Sequence, residues 1–181
     1  MRARQLIVAA GIAGALVCGV AGPADAQQPV TAGVGFQALH DADAGRTLPG
    51  WALQLHVPTL GRYGVSAEAS GGSTRFGTPS GDTRLAIQAG LVGVRVSGPA
   101  ASTARLRPFG ELLLGVAHAR VRAGPISANS SKPALQPAGG IEVPLTRRLG
   151  LRGAVFCRRI FSSPGANEAG GQLGLVVAIR P

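Results

Sequence analysis

Six ionisable residues stand out by where they fall: Glu68, Arg95, Glu111, Glu142, Arg152 and Arg158. Five of them sit between apolar or glycine neighbours, as Glu68 does between Ala67 and Ala69 and Arg95 between Val94 and Val96. In an extended chain successive side chains point to opposite faces. Each charge therefore turns away from its greasy neighbours and shares a face with residues two positions off. Opposite charges gathered on a face removed from water must pair. The favoured chemistry is an interior ion-pair network; a small ion path or a catalytic carboxylate is the alternative.

Other reactive types are sparse. The histidines are His40, His56 and His118, and no Cys/His cluster has the spacing of a metal site. No metal or cofactor is expected. His56 shares a face with Gln54, which suits a hydrogen bond better than catalysis. Glycine runs such as Gly33-Val34-Gly35 lead into no helix and make no phosphate loop. Cys157 is expected to face outward and to be inert.

The elements that must carry these residues are strands. In the stretch GWALQLHVPTLGRYGVSAEASGG, residues 50–72, Trp51, Leu53, Leu55 and Val57 share one face, and Ala52, Gln54 and His56 share the other. After a short break, Tyr63, Val65, Ala67 and Ala69 oppose Gly64, Ser66, Glu68 and Ser70. This is a β-hairpin. The same period recurs over eight stretches: 29–39, 50–57, 62–71, 84–97, 106–120, 134–143, 149–161 and 169–180. In the fourth, Leu85, Ile87, Ala89 and Leu91 set one phase and Val92, Val94 and Val96 the other, so a β-bulge is expected at 90–92.

Composition limits what can surround these strands. Charged residues make up 14% of the chain and aromatics 4%, whereas a soluble domain carries about 25% charged residues. The chain lacks material both for a solvated exterior and for a large aromatic core. Residues 1–26 read as a cleaved signal peptide: Arg2 and Arg4, an apolar run from Leu6 to Val20, and the small-x-small site Ala24-Asp25-Ala26. The run is short for a membrane helix, and Val17 and Ala15 spoil a lipobox at Cys18. Residues 27–181 then form one exported domain. The net charge of +10 points in an exported chain to a phosphate-rich membrane surface, with no nucleic acid as partner.

The face bearing the six charges is otherwise mostly Gly, Ala and Ser, while the opposite face is aliphatic. A soluble sheet would solvate its polar face with many Lys, Glu and Thr. Small residues with a few charges of both signs suit the crowded interior of an eight-strand barrel, with the aliphatic face toward lipid. The breaks at 58–61 and 144–148 are short, that at 98–105 is longer but still modest, and those at 40–48, 72–83, 121–133 and 162–167 are longer or more polar. Short turns would lie on one side with both chain ends, and long loops on the other. The expected fold is all-β, an eight-stranded antiparallel up-and-down transmembrane β-barrel. The runner-up is a soluble exported barrel that binds a small apolar ligand.

Residues 28–180 resemble the small outer-membrane β-barrels of the OmpA-transmembrane-domain and opacity type. The resemblance is carried by Arg107-Pro108-Phe109-Gly110 with Glu111 to Val116, by 138–145, by 148–152 and by Gln172 to Val177. It implies a Gram-negative outer-membrane location and a non-enzymatic structural or surface-interaction role with a plugged lumen. Outer-membrane lipid and lipopolysaccharide, and an external ligand at the loops, would be its partners. Some such barrels edit lipid A, but the close His-x-Ser of the deacylase type is missing here. Arg75, Arg84, Arg120, Arg122 and Lys132, with Arg46, Arg158 and Arg159, lie at loops and strand tops where they could clamp lipopolysaccharide phosphates. Trp51 and Tyr63 would be interface anchors. The chain ends Ile179-Arg180-Pro181, without the terminal aromatic common in these proteins.

Overall fold

The computed structural model describes residues 29–41, 45–78, 81–98, 106–162 and 165–179. The expected signal peptide lies outside them. Eight strands follow in order: β1 (Thr31–Asp41), β2 (Arg46–Leu60), β3 (Tyr63–Thr78), β4 (Gly81–Ser97), β5 (Arg107–Ala123), β6 (Ile126–Pro144), β7 (Leu149–Ile160) and β8 (Ala166–Ala178). Each pairs antiparallel with its sequence neighbour, and β8 closes on β1 with Thr31 opposite Ala178. A closed sheet leaves no edge within the wall, so the backbone hydrogen bonds there are satisfied without water. At the β2–β3 hairpin the chain reverses through Gly61, whose φ of +56° is a left-handed conformation that glycine adopts without steric cost.

The alternation read from the sequence settles which face is which. Val34, Phe36, Leu53, Val94, Leu112, Leu114, Val155, Leu173 and Leu175 are exposed, Val155 at 70%. Their sequence neighbours turn inward and are buried or half-buried: Leu113, between Leu112 and Leu114, is 1% exposed. The aliphatic stripe therefore looks outward from the cylinder. It ends above at His40, Thr47, Ser73, Gln88, His118, Ser131 and Arg159, and below at the turns bearing Arg62, Arg147 and Arg148. An outward apolar band between two polar collars is what a bilayer requires of a barrel.

Two features differ from the sequence-based expectation. No bulge interrupts β4. Its register with β3 runs unbroken from Ala89↔Ser70 through Val92↔Ala67, and with β5 through the same residues. Leu85, Ile87, Ala89 and Leu91 simply point inward, while Val92, Val94 and Val96 point outward. The lumen also holds apolar side chains: Leu39, Leu48, Ile87 and Phe156 form one cluster, and Ala89, Leu91, Leu113, Ala117, Ala134 and Ile160 another. They interleave with the charges, since Arg158 and Glu168 lie farther up β7 and β8 than Phe156 and Gly170, and Leu91 is opposite Glu68; buried in the lumen, aliphatic side chains are as well placed inside as outside.

The second difference is at the outer end, where the polar stretches read as long loops are strand. The β3–β4 ladder continues to Thr78↔Gly81 and the β5–β6 ladder to Ala123↔Ile126. Polarity there reports a wet position above the lipid band, not a loss of pairing. Strands β3 to β6 thus rise beyond the rim as a projecting sheet.

Candidate functional site

The lumen holds two ionic clusters, whose charged members come from inward positions of β3 to β8. In the lower cluster Arg95 on β4 lies 2.8 Å from Glu142 Oε1 and 3.6 Å from Glu111 Oε1. Arg152 on β7 lies 2.8 Å from Glu111 Oε2 and 3.2 Å from Glu142 Oε1. Hairpin register brings Glu142 directly opposite Arg152, and strand pairing puts Arg95 opposite Glu111. Both guanidiniums also lie over the Phe109 ring, with centroid distances of 4.2 and 3.9 Å, a geometry that adds cation–π attraction in a desolvated site. Gly140 faces Phe109 across the β5–β6 ladder. A Cβ at Gly140 would collide with that ring and with the backbone of β7, so the small lumen residues leave room for the large ones.

The upper cluster centres on Arg158, which is 1% exposed. Its guanidinium lies 3.3 Å from Glu68 Oε1 and 3.5 Å from Glu168 Oε2. It also donates to Gln136 at 2.8 Å and Ser70 at 3.0 Å. Gln136 and Gln172 donate in turn to Glu68, at 3.3 and 3.0 Å, and Gln54 donates to Gln172 at 2.6 Å. All six charges singled out in the sequence are therefore brought together in the lumen. Glu168 is a seventh member, 3% exposed, which the sequence reading missed because it placed the start of the last strand at residue 169. The amides of Gln37, Gln136 and Gln172 were likewise left without roles, although their inward phase was legible.

Two cavities of about 10 Å³ each lie among the described residues, one of them against Glu68, Arg95, Glu111, Glu142 and Arg152. A space of that size holds about one water molecule.

His56 and Ser66 face this lumen. The His56 ring is 3.2 Å from Ser66 Oγ, and Ser66 donates to Glu111 Oε1 at 3.1 Å. A hydrolytic triad places histidine between serine and acid. Here serine stands between the other two, in a buried position. On the outer surface His118 and Ser131 meet at 2.8 Å across β5 and β6, and His40 and Thr47 at 3.2 Å across β1 and β2. Among the described residues none of the three histidines belongs to a group of side chains that could hold a metal.

The candidate phosphate contacts separate into two faces. Arg75, Arg84 and Arg122 lie side by side on β3, β4 and β5, since Arg75 is opposite Arg84 and Arg84 opposite Arg122. They and Arg120 are exposed on the outward side. Lys132 does not join them: it is opposite the inward-facing Ala117, on the other face of the projecting sheet. Arg46 stacks over Phe76 at 3.5 Å at the mouth, Arg159 over Phe161 at 6.0 Å, and Arg158 belongs to the lumen. Of the expected anchors, Tyr63 opens β3 at the lower rim, 62% exposed, and Trp51 lies outward on β2 beside Gly71. Cys157 is an exposed free thiol on the lipid-facing side of β7.

No protein-family model matches the chain, and no curated protein matches it in sequence. Solved structures do match. Neisserial surface protein A is similar with a TM-score of 0.67 at 10% identity, over 83% of this chain and 96% of that one. The outer membrane protein OprG from Pseudomonas aeruginosa is similar with a TM-score of 0.57 at 12% identity, over 83% and 96%. Ail, the attachment invasion locus protein of Yersinia pestis, is similar with a TM-score of 0.55 at 14% identity, over 82% and 95%. Ail has also been solved in complex with the heparin analogue sucrose octasulfate. At such identities these likenesses establish architecture: the chain has the closed eight-stranded fold of the small bacterial outer-membrane β-barrels.

Proposed function

We propose that the chain is a non-enzymatic integral outer-membrane barrel whose lumen is closed by the ion-pair network, and that it acts through its outer surface. The observation that carries this reading is the division of side chains. Aliphatic residues cover the outside, and the charged and amide side chains of the strands turn inward, packed among small and apolar ones. A soluble barrel for an apolar ligand needs the reverse, with a greasy cavity of several hundred Å³. The enzymatic alternative finds no support in the order of His56, Ser66 and Glu111.

The outer surface offers phosphate chemistry. Three arginines in a row on adjacent strands repel one another. An anionic group bridging them would remove that repulsion and gain bidentate hydrogen bonds. Lipopolysaccharide phosphates lie at this height in the outer leaflet, so Arg75, Arg84, Arg120 and Arg122 are assigned to them. Envelope fractionation with gels of unboiled samples tests the placement. The protein should partition with the outer membrane and migrate faster before boiling than after. Recovery in the soluble periplasmic fraction without a mobility shift would overturn the reading.

A further inference from the structure

The lower rim carries charge that the lumen network does not absorb. The turn from β6 to β7, Leu145-Thr146-Arg147-Arg148, sets two exposed arginines side by side. The ion pairs of the described residues include neither of them. The carboxylate closest along the chain is Glu142, which turns into the lumen and pairs with Arg95 and Arg152.

The turn itself is held in place. Thr146 Oγ accepts from the backbone N–H of Arg148 at 3.2 Å and of Leu149 at 3.0 Å. The N–H groups of Leu145 and Thr146 both donate to the Leu149 carbonyl, at 2.8 and 2.9 Å. The Arg148 carbonyl accepts from the Ala178 N–H at 2.8 Å, which ties the turn to β8. The backbone that carries the two guanidiniums is therefore ordered before any ligand arrives, and that lowers the cost of binding. Apolar surface runs down to the same place. Leu151 and Val177 are exposed on the outward face, Ile179 is exposed just past β8, and Leu145 is 50% exposed within the turn. An exposed leucine at the end of an aliphatic stripe marks the edge of hydrocarbon, and arginines beside it stand in the headgroup layer.

We infer that the β6–β7 turn binds an anionic phospholipid of the periplasmic leaflet, with the phosphate on Arg147 and Arg148 and the acyl chains along Leu145, Leu151 and Val177. This goes beyond the outer-rim contacts proposed above and rests on the same membrane placement, in which the tight turns face the periplasm. Guanidinium forks meet the oxygens of a phosphate diester in pairs. The headgroup is selected by what surrounds the phosphate. The ammonium of a zwitterionic headgroup would lie against two guanidiniums, and Glu142, already paired inside the lumen, is not placed to receive it. A headgroup without positive charge, such as glycerol, meets no such repulsion.

The test uses the whole barrel refolded in micelles of an uncharged detergent, with the backbone amide resonances of residues 145–149 followed by NMR. The probe is a short-chain phosphatidylglycerol. These resonances should move in a saturable titration, and phosphatidylcholine of the same chain length should leave them in place. Glycerol phosphate, the same headgroup without acyl chains, should act only at far higher concentration. Arg147→Gln combined with Arg148→Gln should weaken the titration by about 25-fold, about fivefold for each arginine at a membrane surface. Arg84→Gln, at the outer rim, should leave it unchanged. Equal response to phosphatidylcholine, or equal response to glycerol phosphate, overturns the inference while the barrel remains heat-modifiable. So does movement confined to Arg75, Arg84 and Arg122, or a double variant that titrates like the parent. A chain that gives no heat-modifiable barrel at all refutes the proposed function first.

Discussion

Arg158→Met should destabilise the barrel strongly. The guanidinium is the sole cation within 4 Å of Glu68 and Glu168 among the ion pairs of the described residues, at 3.3 and 3.5 Å. Methionine fills much of the same space but leaves two carboxylates with no opposite charge in a site where Glu68 and Glu168 are 5% and 3% exposed. It also removes the donors to Gln136 and Ser70. Breaking a buried pair from one side costs about 3–5 kcal/mol. The loss should appear in urea titration of barrels refolded in lipid vesicles, with the folded fraction read from unboiled gels. The reasoning makes a second, sharper demand. Neutralising the acids as well, in Arg158→Met with Glu68→Gln and Glu168→Gln, removes the uncompensated charge, because a neutral replacement of a whole buried ion group is often energetically even. The triple variant should return to within about 1 kcal/mol of the parent, the size of one net hydrogen bond. A single variant less than about 1 kcal/mol below the parent, or a triple variant as unstable as the single, would refute the idea that the cost is unpaired charge.

Three further outcomes are expected. Glu142→Ala leaves Arg95 and Arg152 to share Glu111, and the folded barrel should melt earlier in detergent; no change would count against the network. Arg84→Gln takes the centre from the arginine row, so in phosphate-free detergent it should stabilise by about 0.2–1 kcal/mol for each opposed pair relieved. In lipopolysaccharide it should destabilise, and the same sign in both media would remove the phosphate assignment. Cys157, exposed on the lipid side, should resist a charged maleimide while the barrel stands in bilayers and react with it once the chain is unfolded in urea, because the thiolate that attacks does not form in hydrocarbon; rapid labelling of the folded protein would count against a lipid-facing Cys157.

Much of the lower half was legible in the sequence because a period of two assigns every residue of a strand to a face. Once Glu142 and Arg152 shared a phase across a tight turn, their pairing followed. The upper half was harder for three physical reasons. Leu85, Ile87 and Leu91 are aliphatic and inward, so hydropathy alone could not separate the apolar part of the lumen from the lipid face, and the conflict within β4 suggested a bulge that does not exist. Residues 72–78 and 126–133 are polar because they are wet, yet they remain paired. Glu168 lies in the glycine- and alanine-rich run Ala166 to Gly171, where no alternation of size marks a strand.

Trp51, the only tryptophan in the chain, gives the most direct measurement. Its ring is on the outward face and 47% exposed, so fluorescence of the unlabelled protein in vesicles reports what that face touches. Lipids brominated along their acyl chains should quench it, and aqueous iodide should have little effect. Strong quenching by iodide with none by brominated lipid would mean that the aliphatic stripe meets water and that the barrel does not stand in a membrane.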